Sequence, residues 1–141
     1  MQISDKASYG YRDTSFQAAG GEAGILQLVR DFYAIMDAQA THISQMHPAD
    51  RATTIDKLAK FLCGWLGGPR LFSETYGPIS IPQAHAHLNI GAEERDAWLN
   101  CMQQAIAKQP YAADFADYLL AQLRIPAERV YQVSQHQHGQ K

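Results

Sequence analysis

Ile90-Gly91-Ala92-Glu93-Glu94-Arg95-Asp96-Ala97-Trp98-Leu99 reads as the opening of a helix that runs from about Ala92 to Lys108. Trp98, Cys101, Met102, Ala105 and Ile106 recur at three- and four-residue steps and so share one face. Glu93 and Glu94 occupy the first turn, where the helix dipole favours acidic side chains. Trp98 brings an indole N–H to that apolar face, and a buried donor of this kind needs an acceptor.

Working upstream, Pro82 suits the first position of a short helix carrying His85 and His87 and ending near Asn89–Gly91. Two residues apart on a helix, these histidines point to nearly opposite sides, so at most one faces a central ligand. On spacing alone, either reads as a surface or internally satisfied histidine. Residues 70–81 look irregular, with Gly77-Pro78 as a turn. Before them, Ile55, Leu58, Ala59, Leu62, Trp65 and Leu66 form a second helical stripe, stopped by Gly67-Gly68-Pro69. Residues 42–50 form a corner containing His47-Pro48. A third stripe, Ile25, Leu28, Val29, Phe32, Tyr33 and Met36, fades near Gln39–Thr41. Ser15 is placed to cap a short helix over Phe16–Ala19 that ends at Gly20-Gly21, where positive φ turns the chain.

Downstream, Pro110 starts a helix carrying Tyr111, Phe115, Tyr118, Leu119 and Leu123. Pro126 either kinks that helix or divides it from a last one carrying Val130 and Val133. No sustained alternation of β-branched residues occurs anywhere, so the fold class is all-α.

At 141 residues the chain fits one domain. Apolar residues make up 46% and charged ones 18%, which places it with globular chains and not disordered ones. The net charge of −2 leaves no electrostatic footprint for nucleic acid, and no basic run marks a membrane surface. No apolar run reaches the roughly 20 residues that span a bilayer. Met1 to Arg12 is polar, without a signal-peptide core, and two cysteines are too few for a disulfide scaffold. The expectation is a cytoplasmic domain.

The sequence contains no Gly-rich phosphate loop, no CxxC and no HExxH. Cys63 and Cys101 read as two buried thiols acting as small apolar side chains. His42 reads as exposed, and His136 and His138 as solvated tail residues. Phe32, Phe61, Trp65, Phe72 and Trp98 crowd the strongest helices, and a core accounts for most of them. Tyr33 and Trp98 nonetheless carry polar atoms into apolar faces, which a bound ligand or a backbone carbonyl would satisfy.

The order of these pieces resembles group II truncated haemoglobins. The matching landmarks are Gly20-Gly21-Glu22-Ala23-Gly24-Ile25, Phe32-Tyr33, Leu58 with Phe61-Leu62, Trp65-Leu66-Gly67-Gly68-Pro69, His85 and the run Ile90–Leu99. They cover about residues 15–123, in order and at compatible spacing. The resemblance implies a globin-like, two-over-two helical sandwich around haem b. It divides the chain into an N-terminal extension (1–14), a truncated globin domain (15–135) and a polar tail (136–141).

By the same resemblance, His85 takes the proximal, iron-ligating position, and Tyr33, Trp98 and the corner residue His47 take the distal one, with Met46 as the alternative to His47. Thr54, Leu58 and Phe61 face the haem from one helix, and Thr54 is small enough to leave a path for ligands. Lys57 is placed to pair with a propionate. Phe72 stands where relatives often have a tyrosine, and the stretch Pro78–Ala84 lacks the arginines that relatives often carry. Propionate anchoring then rests on Lys57, with Arg70 or Tyr76. Distal hydrogen-bond donors imply slow release of dioxygen and other diatomic ligands.

Three other functions compete with retention. A haem redox enzyme, peroxidase-like or nitric oxide dioxygenase-like, needs an external reductase, since the chain has no flavin or nicotinamide domain. A redox-gated sensor would use His47 or Tyr33 as sixth ligand. A non-haem helical interaction module would leave His85 and Trp98 unexplained. The expected assembly is a monomer or weak homodimer.

Overall fold

The computed structural model describes residues 9–81 and 88–136. They form helices α1 (Thr14–Ala18), α2 (Gly21–Gln39), α3 (Thr41–Ser44), α4 (Arg51–Trp65), α5 (Leu71–Tyr76), α6 (Ala92–Ala107) and α7 (Ala113–Ser134). No strand occurs among the described residues. Helix α2 packs against α4 and against α6, and α6 packs against α7. The long helices thus make two pairs, α2 with α4 and α6 with α7, joined through the α2–α6 contact.

The three stripes read from the sequence supply the core. Ile25, Leu28, Val29, Phe32, Tyr33 and Met36 of α2 are all buried, as are Cys101, Met102, Ala105 and Ile106 of α6. In α4, Ala59 and Leu62 are buried, and Ile55, Leu58 and Trp65 pack against the core while partly exposed. Cys63 and Cys101 are free, buried thiols, in keeping with their reading as apolar side chains. Burial pushes Cys63 up to about 11 and Cys101 upward as well, so both stay protonated near neutrality.

Local chemistry sets the helix starts. Gly20 and Gly21 both have positive φ (90° and 69°) and turn the chain sharply between α1 and α2. Asp50 caps α4: its carboxylate accepts the Thr53 amide at 3.2 Å and the Thr53 hydroxyl at 2.7 Å. At the start of α6 the Glu94 carboxylate reaches back to accept the Gly91 amide at 2.7 Å.

Three local expectations are corrected, and one alternative left open at Pro126 is decided. Ser15 is not a cap: α1 begins at Thr14, and Ser15 is buried inside it, accepting the Gly10 amide at 2.8 Å. The stretch expected to be irregular contains α5, too short for a periodic signal and held by tertiary contacts. Phe72 meets Phe61 edge-on at 6.4 Å, and the Tyr76 hydroxyl donates to Asp56 at 2.5 Å. Pro110 does not start a helix, because Ala112 is extended (ψ 146°) and α7 begins after it. Pro126 does not divide α7, which continues through it to Ser134. The proline removes one backbone donor, and its ring is used instead as part of a cavity wall. The short helix expected around His85 and His87 lies outside the described residues.

Candidate functional site

A cavity opens between the two helix pairs. It holds about 840 Å³ of space free of protein atoms, part of it continuous with solvent. The α3–α4 corner contributes Ile43, Met46 and His47 to its wall, and α4 contributes Leu58, Phe61 and Leu62. From α6 come Glu94, Arg95 and Trp98, and from α7 come Leu123, Pro126, Ala127 and Val130. Ile81, Leu88 and Ile90 complete it. Thus every long helix except α2 reaches the wall, and almost all of the lining side chains are apolar.

The structure separates the expected site residues into groups. Leu58, Phe61, Trp98 and His47 stand on the wall, and so does Met46, the alternative at the corner. Tyr33 is buried one layer behind: its ring meets His47 edge-on at 5.4 Å and Phe32 edge-on at 5.0 Å. Phe32 in turn meets Trp98 edge-on at 5.2 Å, so Tyr33, Phe32, Trp98 and His47 form one aromatic set beside the cavity. Thr54 is buried but off the wall, its hydroxyl donating to the Asp50 carbonyl at 3.1 Å one turn back. Lys57 is also off the wall, with its ammonium 5.4 Å from the centre of the Tyr76 ring. Phe72 backs Phe61 from outside. His85 lies outside the described residues, between two wall residues, Ile81 and Leu88.

Polar atoms at this site have definite roles. His47 Nδ1 is 2.9 Å from the Ile43 carbonyl oxygen. A carbonyl only accepts, so Nδ1 carries the hydrogen and Nε2 of the neutral ring is an acceptor. Burial raises the pKa of Tyr33 well above its ordinary 10.0, with nearby Arg51 acting the other way. Its hydroxyl therefore keeps its proton at physiological pH. Arg95, at the cavity margin, is held by Glu128 and by Asp96, both at 3.0 Å, and lies over the Tyr131 ring at 4.6 Å.

The comparisons with known proteins bear on this geometry. The model of the bacterial-like globin family matches residues 14–131. The chain belongs to the bacterial-like globins. This globin is 31% identical over 112 residues to the group 2 truncated hemoglobin YjbI of Bacillus subtilis, spanning 78% of this chain and 83% of that one. Its fold is similar to that of a cold-adapted truncated hemoglobin from the Antarctic marine bacterium Pseudoalteromonas haloplanktis TAC125. That match has a TM-score of 0.79 at 29% identity, over 82% of this chain and 95% of the other. It is also similar to the group II 2-on-2 hemoglobin of Agrobacterium tumefaciens, with a TM-score of 0.78 at 31% identity, over 82% and 92% of the two chains. The expected group II truncated haemoglobin and its all-α globin fold are thereby established.

Haem and the binding of diatomic ligands such as oxygen follow from the family. The cavity of this globin fits that cofactor. Its walls are apolar on the faces of α4 and α7, as a flat macrocycle requires, and its polar side chains are few and placed at one side or at the margin. Among the described residues, no helix is long and apolar enough to cross a membrane.

Sequence reasoning missed two contributors. Ser134, buried near the end of α7, donates to the Leu88 carbonyl at 2.8 Å and accepts the Ile90 amide at 2.6 Å. It therefore pins two wall residues. Arg51, next to the Asp50 cap, spans the corner that carries His47. A serine in a C-terminal stretch and an arginine in a first turn carry no local signal for either role.

Proposed function

We propose that this globin binds haem b through His85 and retains dioxygen and other diatomic ligands, with Trp98, Tyr33 and His47 on the distal side. The observation that carries this reading is the placement of the wall. Ile81 and Leu88, which precede and follow residue 85 in the sequence, line the cavity, and Trp98 and His47 line it too.

Haem iron, when bound, supplies the position at which a diatomic ligand coordinates. The chain's residues determine how long such a ligand stays. The Trp98 indole, on the wall, is a donor only, and the Tyr33 phenol, one layer back, remains protonated and donates once its hydroxyl turns into the cavity; both suit a ligand that carries partial negative charge. Each such bond is worth about 1.5–3 kcal/mol, or roughly 10–150-fold in affinity. His47 differs. Its Nδ1 hydrogen is committed to Ile43, so the neutral ring offers no hydrogen from Nε2, and it donates from there only when protonated. Retention thus rests on Trp98 and Tyr33, and His47 orients the Tyr33 ring by edge contact.

This retention suits storage, scavenging or sensing better than fast exchange. The location we propose is the cytoplasm. Redox turnover would require an external reductase.

The test is an absorption spectrum of the purified protein, ferric and ferrous, beside His85→Gly. A haem spectrum that is lost or disrupted in the variant establishes His85 as the ligand. An unchanged spectrum overturns it, and a protein that stays colourless after haem addition overturns the haem reading itself. The wild-type spin state then reports whether a distal side chain holds the sixth position.

A further inference from the structure

Arg51 opens α4, and its guanidinium joins four pieces of chain. Nη2 donates to Asp37 Oδ1 on α2 at 2.7 Å, and Nε reaches the other carboxylate oxygen at 3.4 Å. Nη2 also lies 2.7 Å from the Ser44 hydroxyl and 3.1 Å from the Ser44 carbonyl at the end of α3. Nη1 donates to the Pro48 carbonyl at 2.8 Å. The Ser44 hydroxyl donates in turn to Asp37 Oδ1 at 2.6 Å, which closes the ring of contacts. The guanidinium carbon sits 5.4 Å from the centre of the Tyr33 ring, and that ring abuts His47.

The clamp therefore encloses the corner from Ile43 to Pro48. Three cavity-wall residues, Ile43, Met46 and His47, belong to this corner. Within it, the Ile43 carbonyl accepts both the Met46 amide at 3.0 Å and His47 Nδ1 at 2.9 Å. A shift of the corner would carry His47 with it and withdraw the support of the Tyr33 ring.

We propose that Arg51 is a positioning residue of the distal pocket. Through Asp37, Ser44 and Pro48 it fixes the 43–48 corner against the cavity, and through Tyr33 and His47 it sets the face a bound ligand meets. This rests on the reading of the cavity as a haem pocket. An exposed ion pair alone adds little to stability. Here, directed bonds from one planar fork end on three separate segments, and what they specify is a position. Lysine keeps the charge but has no such fork, so it cannot reach the carboxylate and both carbonyls together.

The test uses the haem-loaded protein with Arg51→Ala, Arg51→Lys and Asp37→Asn, and reads three quantities. They are the C–O stretching frequency of the carbon monoxide complex, amide hydrogen exchange over residues 43–47, and thermal melting. In both Arg51 variants the C–O band should shift or split relative to wild type. Exchange over 43–47 should quicken about tenfold, as for a local opening. Asp37→Asn, which keeps a weaker acceptor, should give the same changes at smaller size. An unchanged C–O band and unchanged exchange in Arg51→Ala, with only the melting temperature lowered, would reduce Arg51 to a surface brace and overturn the proposal. If the chain takes up no haem, the pocket reading fails, and exchange over 43–47 in the haem-free chain still decides whether the clamp holds the corner.

Discussion

The Ser134 hydroxyl donates to the Leu88 carbonyl oxygen at 2.8 Å across 46 residues of sequence. The Ser134 hydroxyl oxygen in turn accepts the Ile90 amide at 2.6 Å, and the neighbouring Gln135 side chain donates to the Ile90 carbonyl at 3.0 Å. The end of α7 thereby holds the segment between residue 87 and α6, and with it two residues of the cavity wall. Ser134→Ala leaves the Ile90 amide and Leu88 carbonyl without this partner, at an expected cost of about 1–3 kcal/mol. Urea unfolding checks the stability. Transfer of haem to an acceptor apoglobin should be faster in the variant, because the segment that follows His85 loses its anchor.

Trp98 and Tyr33 should differ from His47 in their effect on ligand release. Trp98→Phe and Tyr33→Phe each remove a donor worth about 1.5–3 kcal/mol, so dioxygen should dissociate at least about tenfold faster in each. His47→Phe keeps an aromatic edge against Tyr33 and removes no neutral Nε2 donor, so it should change the rate by less than either. Stopped-flow displacement of dioxygen by carbon monoxide measures all three. Equal effects at the three positions would contradict the tautomer deduced from the Ile43 contact.

Gly67 stops α4 with φ +94°, a conformation that side chains with a Cβ rarely adopt. A Cβ there would also run into the Arg12 carbonyl oxygen. Gly67→Ala should therefore destabilise the fold by about 1–3 kcal/mol or more, through both backbone strain and overpacking. A melting temperature within a degree or two of wild type would refute this.

Acid should release the distal corner late. Arg51 beside Asp37, with the Ser44 hydroxyl, holds that carboxyl below its ordinary 3.8, and Thr53 does the same for Asp50 at the α4 cap. A carboxylate lowered in the folded state stabilises the fold above the unfolded value, and that contribution is lost as pH falls through the folded one. The stability gap between wild type and Asp37→Asn should thus be constant from neutrality down to about pH 4 and close below it. Chemical unfolding of the two proteins across that range checks the sign.

The sequence by itself determined which helices carry the core. The stripes of α2, α4 and α6 follow a three- and four-residue rhythm, because a helix buries one face along its length and that face must be apolar. The Gly20-Gly21 turn and the stop at Gly67 were legible for the same local reason: only glycine takes those backbone angles cheaply. The run from Ile90 to Leu99, together with Gly67-Gly68-Pro69 and His85, was enough to indicate the globin family, and through it haem. Only the tertiary structure decided how α5 is held, that α7 runs through Pro126, and that Ser15 is buried and not a cap. It also set the hydrogen on His47 Nδ1, placed Tyr33 behind the wall instead of on it, and brought Arg51 to Asp37 and Ser134 to Leu88. These contacts join residues 14 and 46 positions apart. Each depends on where two distant helices end relative to one another, a relation set by core packing across the whole molecule and carried by no local pattern of side chains.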